Sequence, residues 1–461
     1  MRQKPAVQNI TEGVIWKQLL SFFFPILLGT FFQQMYNTVD TIVVGRFVGT
    51  QALAAVGATA PMISLINGFF IGLSSGATVL ISQYCGANDR GGIRTALHTG
   101  VGLALVLGLT VTALGIVAGP EILRLTKAPE SCMADAVLYT RVYFSGAVAS
   151  MIYNMGAGIL RAMGDSKRPT LFLIVTCFVN IVLDILLVVV FPLGVMGAAL
   201  ATILAQGVSA LLVLLVLGRL PGDIALRLCG IRLESRLIRR ILVIGVPAGL
   251  QFVTFDLANL LIQSGINSFG SDMVAAFVAY AKADALSWMV SGAFGVAITT
   301  FVGQNFGAQK YDRIRQSVRV CLAMSVGTIL VITSAIVLFR RQILGIFTTD
   351  PAVLQLGAYT MLWTVPFNSI LLPMEIFGGA MRGTGNSLLP TLITGVCICL
   401  FRVIWLATVV SRFHLVELLL VIYPVSWILT SVVFTVVYLR GNWLRKQIIR
   451  RGLEMEPASE R

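Results

Sequence analysis

The chain has 461 residues, of which 57% are hydrophobic and 12% are charged. A soluble protein has roughly a quarter of its residues charged, so this composition excludes a soluble globular domain and predicts an integral membrane protein. The net charge of +14 does not indicate nucleic-acid binding, because the basic residues are dispersed over many short loops.

Twelve apolar runs are long enough to cross a bilayer, which requires ~20 residues for about 30 Å of hydrocarbon. The runs lack sustained period-two alternation, so they predict helices and not barrel strands. The expected fold class is therefore an all-α polytopic membrane protein. The predicted spans are 17–44, 53–84, 95–119, 133–160, 169–192, 195–218, 238–267, 273–305, 314–339, 352–380, 387–411 and 414–439.

The lysines and arginines between the spans predict the orientation of the chain. Loops on one side hold 25 of these residues and loops on the opposite side hold 6. Because basic residues accumulate on the cytoplasmic side, both termini are expected to be cytoplasmic. The short loops and tails are typical of a multi-pass protein of a prokaryotic plasma membrane.

The two halves of the chain repeat at a constant offset. Residues 78–89 align with 299–310, and 161–170 align with 382–391, in both cases 221 positions apart. An even number of spans per half predicts two parallel six-helix repeats about an axis along the membrane normal. The predicted parts are a lobe at 1–219, a cytoplasmic linker at 220–237, a lobe at 238–440 and a cytoplasmic tail at 441–461.

The second repeated motif predicts structural turns between helices. Its glycines can adopt the backbone conformation that ends a helix, and its prolines suit the first turn of the next one. Its arginines can bond the last carbonyls of the preceding helix. The residues concerned are Arg161, Gly164 and Pro169 in the first half, and Arg382, Gly385 and Pro390 in the second.

Three motifs resemble the multidrug and toxic compound extrusion (MATE) family, whose superfamily also contains lipid-linked oligosaccharide flippases. They are the segment Gln34–Gly45, the pair Gln83–Ala87 and Gln304–Ala308, and the paired Arg-x-x-Gly-x-Ser-x-x-Pro loops. The resemblance extends over essentially the whole chain. It implies an efflux transporter of organic compounds driven by cation entry.

Oxygen-bearing side chains on three predicted helices lie at a similar depth. Asp40 is six residues from the predicted outer end of its helix, or about 9 Å at 1.5 Å per residue. Asp184 and Thr202 are each eight residues from an outer end, or about 12 Å. Asn180 lies one turn from Asp184, and Tyr36 lies one turn from Asp40. These five residues are the predicted cation-coupling site.

Either of two cations suits this site. Two carboxylates, an amide oxygen and a hydroxyl are hard ligands for Na⁺, whereas two neighbouring carboxylates in a low-dielectric pocket allow one of them to carry a proton. The resemblance implies the same cation site, matched by Asp40, Asn180, Asp184 and Thr202. A polar network that only locks the packing is the alternative.

The repeat predicts that coupling is confined to the first half. Adding 221 to positions 180, 184 and 202 gives Phe401, Trp405 and Tyr423. Of the equivalent oxygens, the second half therefore retains only a tyrosine hydroxyl.

A substrate cavity is predicted from acidic, amide and methionine side chains. Carboxylates could contact a cationic substrate, and flexible methionines accept varied apolar shapes. The alternatives are ordinary packing for the methionines and, for the acids, pairing with Arg402 or Lys282. The candidate residues are Met35, Asn154, Met155, Asp256 and Glu375.

The predicted function is secondary antiport, in which entering H⁺ or Na⁺ drives two rocking lobes to export organic, cationic or amphipathic compounds. The alternatives are a lipid-linked saccharide flippase and a membrane-embedded enzyme. The second needs a metal triad or a nucleophile–base pair, which two scattered histidines do not supply. No cofactor beyond the coupling ion is expected. The expected partners are the bilayer and small solutes, and one bilobed chain suffices as a monomer.

Overall fold

The computed structural model describes residues 10–126 and 129–450. The part of the predicted tail after residue 450 lies outside the described residues. The same holds for the basic residues at positions 2, 4, 127, 451 and 461, which contribute to the predicted orientation.

The described part of the chain consists of helices and short connections, with no strand within it. The helices are α1 (Ile15–Val48), α2 (Thr50–Gly86), α3 (Arg90–Leu125), α4 (Glu130–Ser145), α5 (Ala147–Ala162), α6 (Lys167–Val190), α7 (Gly194–Gly218), α8 (Ser235–Asn267), α9 (Ser271–Gly307), α10 (Tyr311–Leu338), α11 (Arg340–Gly345), α12 (Pro351–Thr364), α13 (Asn368–Gly383), α14 (Leu388–Phe413), α15 (Val416–Arg440) and α16 (Trp443–Arg450).

Ten of these helices are long and apolar enough to cross a membrane without interruption. Each of the two remaining predicted spans, 133–160 and 352–380, is divided into two helices. The first is divided at Gly146, where an added Cβ would lie 2.5 Å from the Ile203 side chain. The second is divided by the 3₁₀ turn Val365–Phe367, in which Pro366 lacks an N–H donor. The twelve-span, all-α fold class is confirmed.

The backbone repeats with the sequence. Residues with positive φ recur 221 positions apart, and they lie at matching helix ends and helix starts. The pairs are Gly49 and Gly270 (118° and 94°), Asn88 and Gln309 (56° and 59°), and Gly164 and Gly385 (both 94°).

The repeated loop motif folds as its glycines and prolines predict. The Gly164 N–H donates to the Arg161 carbonyl (2.9 Å), and the Gly385 N–H donates to the Arg382 carbonyl (2.8 Å). These are helix-ending bonds closed by a left-handed residue. Pro169 and Pro390 lie in the first turns of α6 and α14.

The arginine side chains of these loops behave differently from the prediction. The Arg382 guanidinium donates to the Gln251 amide oxygen (3.0 Å) and lies 4.0 Å from the Glu375 carboxylate, and not on the helix-ending carbonyls. Arg161 lies beside Tyr153, and its Nε has no hydrogen-bond partner among the described residues. The carbonyl-capping role is therefore wrong for Arg382.

The chain divides into two compact units. Residues Ser21–Gly249 form most of the first, and the residues from Leu250 onward form the second together with Gly13–Leu20. The division falls inside α8, whereas the second lobe was predicted to start at residue 238. The segment before α8 contains two 3₁₀ turns, Gly222–Ile224 and Leu228–Gly230.

Candidate functional site

Two acidic side chains of the first unit are buried beside each other. Asp40 of α1 is 7% exposed and Asp184 of α6 is fully buried. Their carboxyl groups are close enough to share a hydrogen bond when one of them is protonated. Within the described residues, no hydrogen-bond donor contacts Oδ1 of Asp40 or either oxygen of Asp184. The pair therefore has free oxygen atoms for a proton or a metal cation.

Asn180 supplies an amide one turn from this pair. Its side chain is fully buried, and neither its oxygen nor its nitrogen has a hydrogen-bond partner in the described part of the chain. An unsatisfied buried amide costs roughly 1–3 kcal/mol. A ligand that bonds to the amide oxygen or to the amide nitrogen would lower that cost.

Thr202 lies on the buried face of α7. Its hydroxyl donates to the Ala198 carbonyl of the preceding turn (3.1 Å), which leaves its lone pairs able to accept or coordinate. Ala198 packs in the same cluster as Val44 and Val188, which follow the two acids in α1 and α6. The face of α7 that carries Thr202 is therefore next to the acidic pair.

Both acids precede a widened helical turn. Residues Val44–Val48 of α1 and Ile185–Val190 of α6 are π-helical, and the two turns contact each other. Asp184 is the residue directly before its turn. In a π turn the backbone hydrogen bonds span five residues and not four, so the side chains that follow point in a different direction. Such turns are frequent at functional sites. No sequence pattern used above predicts these turns.

Tyrosines of α1 and α4 surround the acids. Tyr36 is 7% exposed, and the side chains of Gln33 and Gln206 lie near its hydroxyl. Tyr139 and Tyr143 of α4 stack with ring centroids 6.1 Å apart, and Tyr139 lies close to both carboxyl groups. The sequence prediction identified Tyr36 but missed the other two, although tyrosines four residues apart in an apolar helix mark one polar face.

An amide completes this shell. The Asn67 side chain of α2 donates to the Tyr143 hydroxyl at 3.1 Å. Asn67 is also absent from the sequence prediction, although an amide in the middle of a membrane span is a signal for a polar interior. Helices α1, α2, α4, α6 and α7 thus all contribute to the polar centre of the first unit.

The predicted substrate residues are dispersed. Asn154 donates to the Ser150 carbonyl of its own helix (2.9 Å), and Met35 and Asp256 are half-buried. Met155 is fully buried in the core, so it packs and does not face an open surface. This corrects its assignment to a cavity.

Glu375 lies against α9 and beside a basic residue. An added Cβ at Gly295 would lie 2.8 Å from Glu375 Oε2, and Arg382 is 4.0 Å from that oxygen. The alternative in which Glu375 pairs with Arg402 or Lys282 is therefore wrong, because Arg382 is its neighbour.

A second polar cluster lies in the second unit. Asp284 of α9 is 1% exposed and accepts from Asn368 (2.6 Å), Trp288 (3.0 Å) and Tyr280 (3.4 Å). Asp284 and its partners are not among the site residues predicted from the sequence. Tyr280 and Trp288 lie one turn before and after Asp284 on the same helix, whereas Asn368 is 84 residues away and is brought near only by the packing of α13 on α9.

The chain matches the family model described as MatE twice, over residues 25–186 and 247–408. It is 29% identical to a "Probable multidrug resistance protein" of Bacillus subtilis, over 97% of this chain and 98% of that protein. It is 25% identical to an "FAD transporter" of Shewanella oneidensis, over 92% and 94%.

Solved structures agree on the fold. A multidrug resistance MATE family transporter of the MOP superfamily, in an outward-facing conformation, superimposes with a TM-score of 0.89. The alignment covers 97% of this chain and 100% of that one at 23% identity. The two family matches together span most of both halves of the sequence, and they begin at Pro25 and Pro247. The chain therefore belongs to the MatE family of membrane transporters.

Proposed function

We propose that this protein is a secondary antiporter that exports organic, cationic or amphipathic compounds in exchange for H⁺ or Na⁺. The observation that carries the proposal is the buried contact between Asp40 and Asp184, with oxygens that no donor satisfies. A cation bound there neutralises charge that the membrane interior disfavours. If one conformation binds the cation more tightly, cation entry shifts the balance between conformations.

Relatives support the class of cargo. One is named for multidrug resistance and another for FAD transport, so organic compounds are the proposed substrates. The flippase alternative requires a strongly cationic cavity, and the polar centre of the first unit is acidic. We propose that rocking of the two lobes alternately exposes the substrate, because the repeated halves provide two similar bodies.

Ion-driven transport tests this proposal. Purified protein is reconstituted in proteoliposomes loaded with a fluorescent organic cation, and a Na⁺ or a pH gradient is imposed separately. We expect at least one gradient to drive dye movement in the wild type. Asp40→Asn and Asp184→Asn should each lower the gradient-driven rate by about tenfold or more, since ~1.4 kcal/mol of lost differential binding equals a factor of ten.

The exposed pair of Glu121 and Arg124 provides a matched control. Glu121→Gln removes a carboxyl group that is 64% exposed and lies at the end of α3, so its transport should equal that of the wild type. Dye movement that neither gradient accelerates would refute antiport. Normal gradient-driven transport in both Asp variants would remove the acidic pair from the mechanism.

A further inference from the structure

Arg402 of α14 is a buried cation without an acidic partner. Its side chain is fully buried, its Nε donates to the Ser426 hydroxyl (3.1 Å), and one terminal nitrogen donates to the Asn259 amide oxygen (3.2 Å). The other terminal nitrogen has no hydrogen-bond partner among the described residues. No carboxylate of the described residues lies within salt-bridge distance of it.

Aromatic rings hold this guanidinium in place. It lies 4.7 Å from the centroid of the Tyr423 ring and 5.8 Å from that of Phe255. Cation–π contacts offset part of the cost of burying the charge. They do not neutralise it, and an unpaired buried charge is strongly destabilising. The structure therefore retains a positive charge with one free donor edge.

The buried acid that shares neighbours with Arg402 is already satisfied. Asp284 shares Tyr280 and Tyr423 as neighbours with Arg402. Its oxygens accept from three donors, the Asn368, Trp288 and Tyr280 side chains. Asp284 is thus held by its own hydrogen bonds and leaves the free edge of Arg402 unoccupied.

A polar face of α8 leads to Arg402. Asn259, which accepts from Arg402, is exposed, and the amides of Gln263 and Asn267 follow it at intervals of four residues. The Gln263 amide donates to the Asn267 oxygen at 3.0 Å. Polar side chains on one face of a membrane helix mark the bundle interior or a water-filled path. A solute on this face would meet Arg402 after one amide moved aside.

The same place in the first half carries no basic residue. Subtracting 221 from 402 gives Ile181, which lies directly after Asn180 of the candidate cation site. The repeated fold therefore holds an acidic pair at this level in the first unit and a guanidinium in the second. The position itself therefore carries an uncharged isoleucine in the first half and an arginine in the second.

We propose that Arg402 binds the anionic group of a transported solute, a carboxylate or a phosphate. Arginine presents two parallel N–H donors that match the two oxygens of such groups. This site rests on the proposed transport function, because it names one chemical group of the cargo.

Equilibrium binding of two matched dyes tests the site. The probes are a rhodamine with a free benzoate and the methyl ester of the same dye, titrated by fluorescence polarisation into the purified full chain in neutral detergent. We expect Arg402→Gln to weaken binding of the acid by about tenfold or more, which is the scale of a charge-assisted hydrogen bond. Binding of the ester should change by less than about twofold.

The chain offers a control on the same helix. Arg412 is an exposed arginine near the end of α14, and Arg412→Gln should bind both dyes like the wild type. No ion gradient is present in this assay. If the binding result is negative, the proposal of ion-driven transport still stands. If ion-driven transport is not observed, the binding of the dyes can still be measured.

Three outcomes would overturn the anion site. The first is that Arg402→Gln weakens the binding of both dyes equally. The second is that Arg402→Gln does not weaken the binding of the acid dye. If Arg402→Gln does not fold, competition on the wild-type protein tests the site instead. Benzoate should displace the acid dye, and benzamide should not. The third is that only phosphatidylglycerol, added in detergent micelles, displaces the acid dye. That result would assign Arg402 to a lipid headgroup and not to a solute.

Discussion

At the scale of single residues, the carboxyl groups of Asp40 and Asp184 combine burial with missing donors. Moving a charge out of water costs several kcal/mol in a protein interior unless hydrogen bonds or a counter-charge compensate it. Neither is present for these oxygens among the described residues. A bound proton or Na⁺ is the simplest compensation, and this makes the stability of the site depend on cation occupancy.

Backbone conformation at one glycine gives a prediction at the same scale. Gly164 has φ of 94°, and Gly164→Ala places a Cβ in a left-handed conformation that costs roughly 1–2 kcal/mol. We expect a lower midpoint of thermal unfolding in detergent, followed by fluorescence-detected size-exclusion chromatography. Gly385→Ala should cause a similar loss, since φ is the same.

Gly207 is the control for this substitution. It lies within α7, and an added Cβ there meets nothing within 4 Å. Gly207→Ala should therefore be neutral or more stable, because alanine favours a helix by about 1 kcal/mol relative to glycine. A Gly164→Ala protein as stable as the wild type would contradict the role of this turn.

At the scale of helices, α2 and the first half of α8 approach each other through glycine. A Cβ at Gly72 would lie 2.2 Å from the Gly249 Cα, and one at Gly76 would lie 2.3 Å from the Ile241 carbonyl oxygen. Backbone atoms cannot move aside as a flexible side chain can. Small residues at such crossings allow membrane helices to pack closely, which explains why α8 belongs to the first unit up to Gly249.

Because of this close contact, one methyl group added at Gly72 is expected to lower the stability of the protein strongly. Gly72→Ala should force α2 and α8 apart and destabilise the protein by about 1–3 kcal/mol, the usual cost of overpacking. The midpoint of thermal unfolding measures the effect. Gly57→Ala, on the same helix with nothing within 4 Å of the added Cβ, should leave the midpoint unchanged or raised. Equal midpoints for the two variants would show that the crossing tolerates separation.

At the scale of the whole molecule, the distribution of basic residues predicts which side each loop faces. The segment before α8 belongs to the side that holds 25 lysines and arginines against 6. That side is expected to be cytoplasmic. The segment contains Cys229, which is exposed, whereas the other six cysteines are buried or half-buried.

Cys229 therefore reports the orientation. A membrane-impermeant maleimide should label the protein in inside-out vesicles and not in intact cells, because the segment before α8 is predicted to face the cytoplasm. Cys229→Ser should abolish this labelling, which identifies the reacting thiol. Labelling of Cys229 in intact cells would reverse the predicted orientation of both termini.

Local signals in the sequence were sufficient to predict the helices and the repeat. Hydrophobic length identified the spans, and the 221-residue offset predicted matching turns at Gly164 and Gly385, which the backbone confirms. Depth from the helix ends predicted that Asp40 and Asp184 lie close together, and their carboxyl groups are neighbours. These inferences succeeded because rise per residue and glycine conformation are properties of the chain itself.

Other parts of the site depend on contacts between distant helices. The bond of Asn67 to Tyr143 and the bond of Arg382 to Gln251 join residues far apart in sequence. Which face of each helix turns inward was decided by close glycine crossings and π turns, and no single helix encodes these. The sequence by itself therefore determined the spans and their repetition, and it singled out the two acids of the first unit. Only the tertiary structure decided the partners of each buried charge, because burial and pairing arise when separate helices pack.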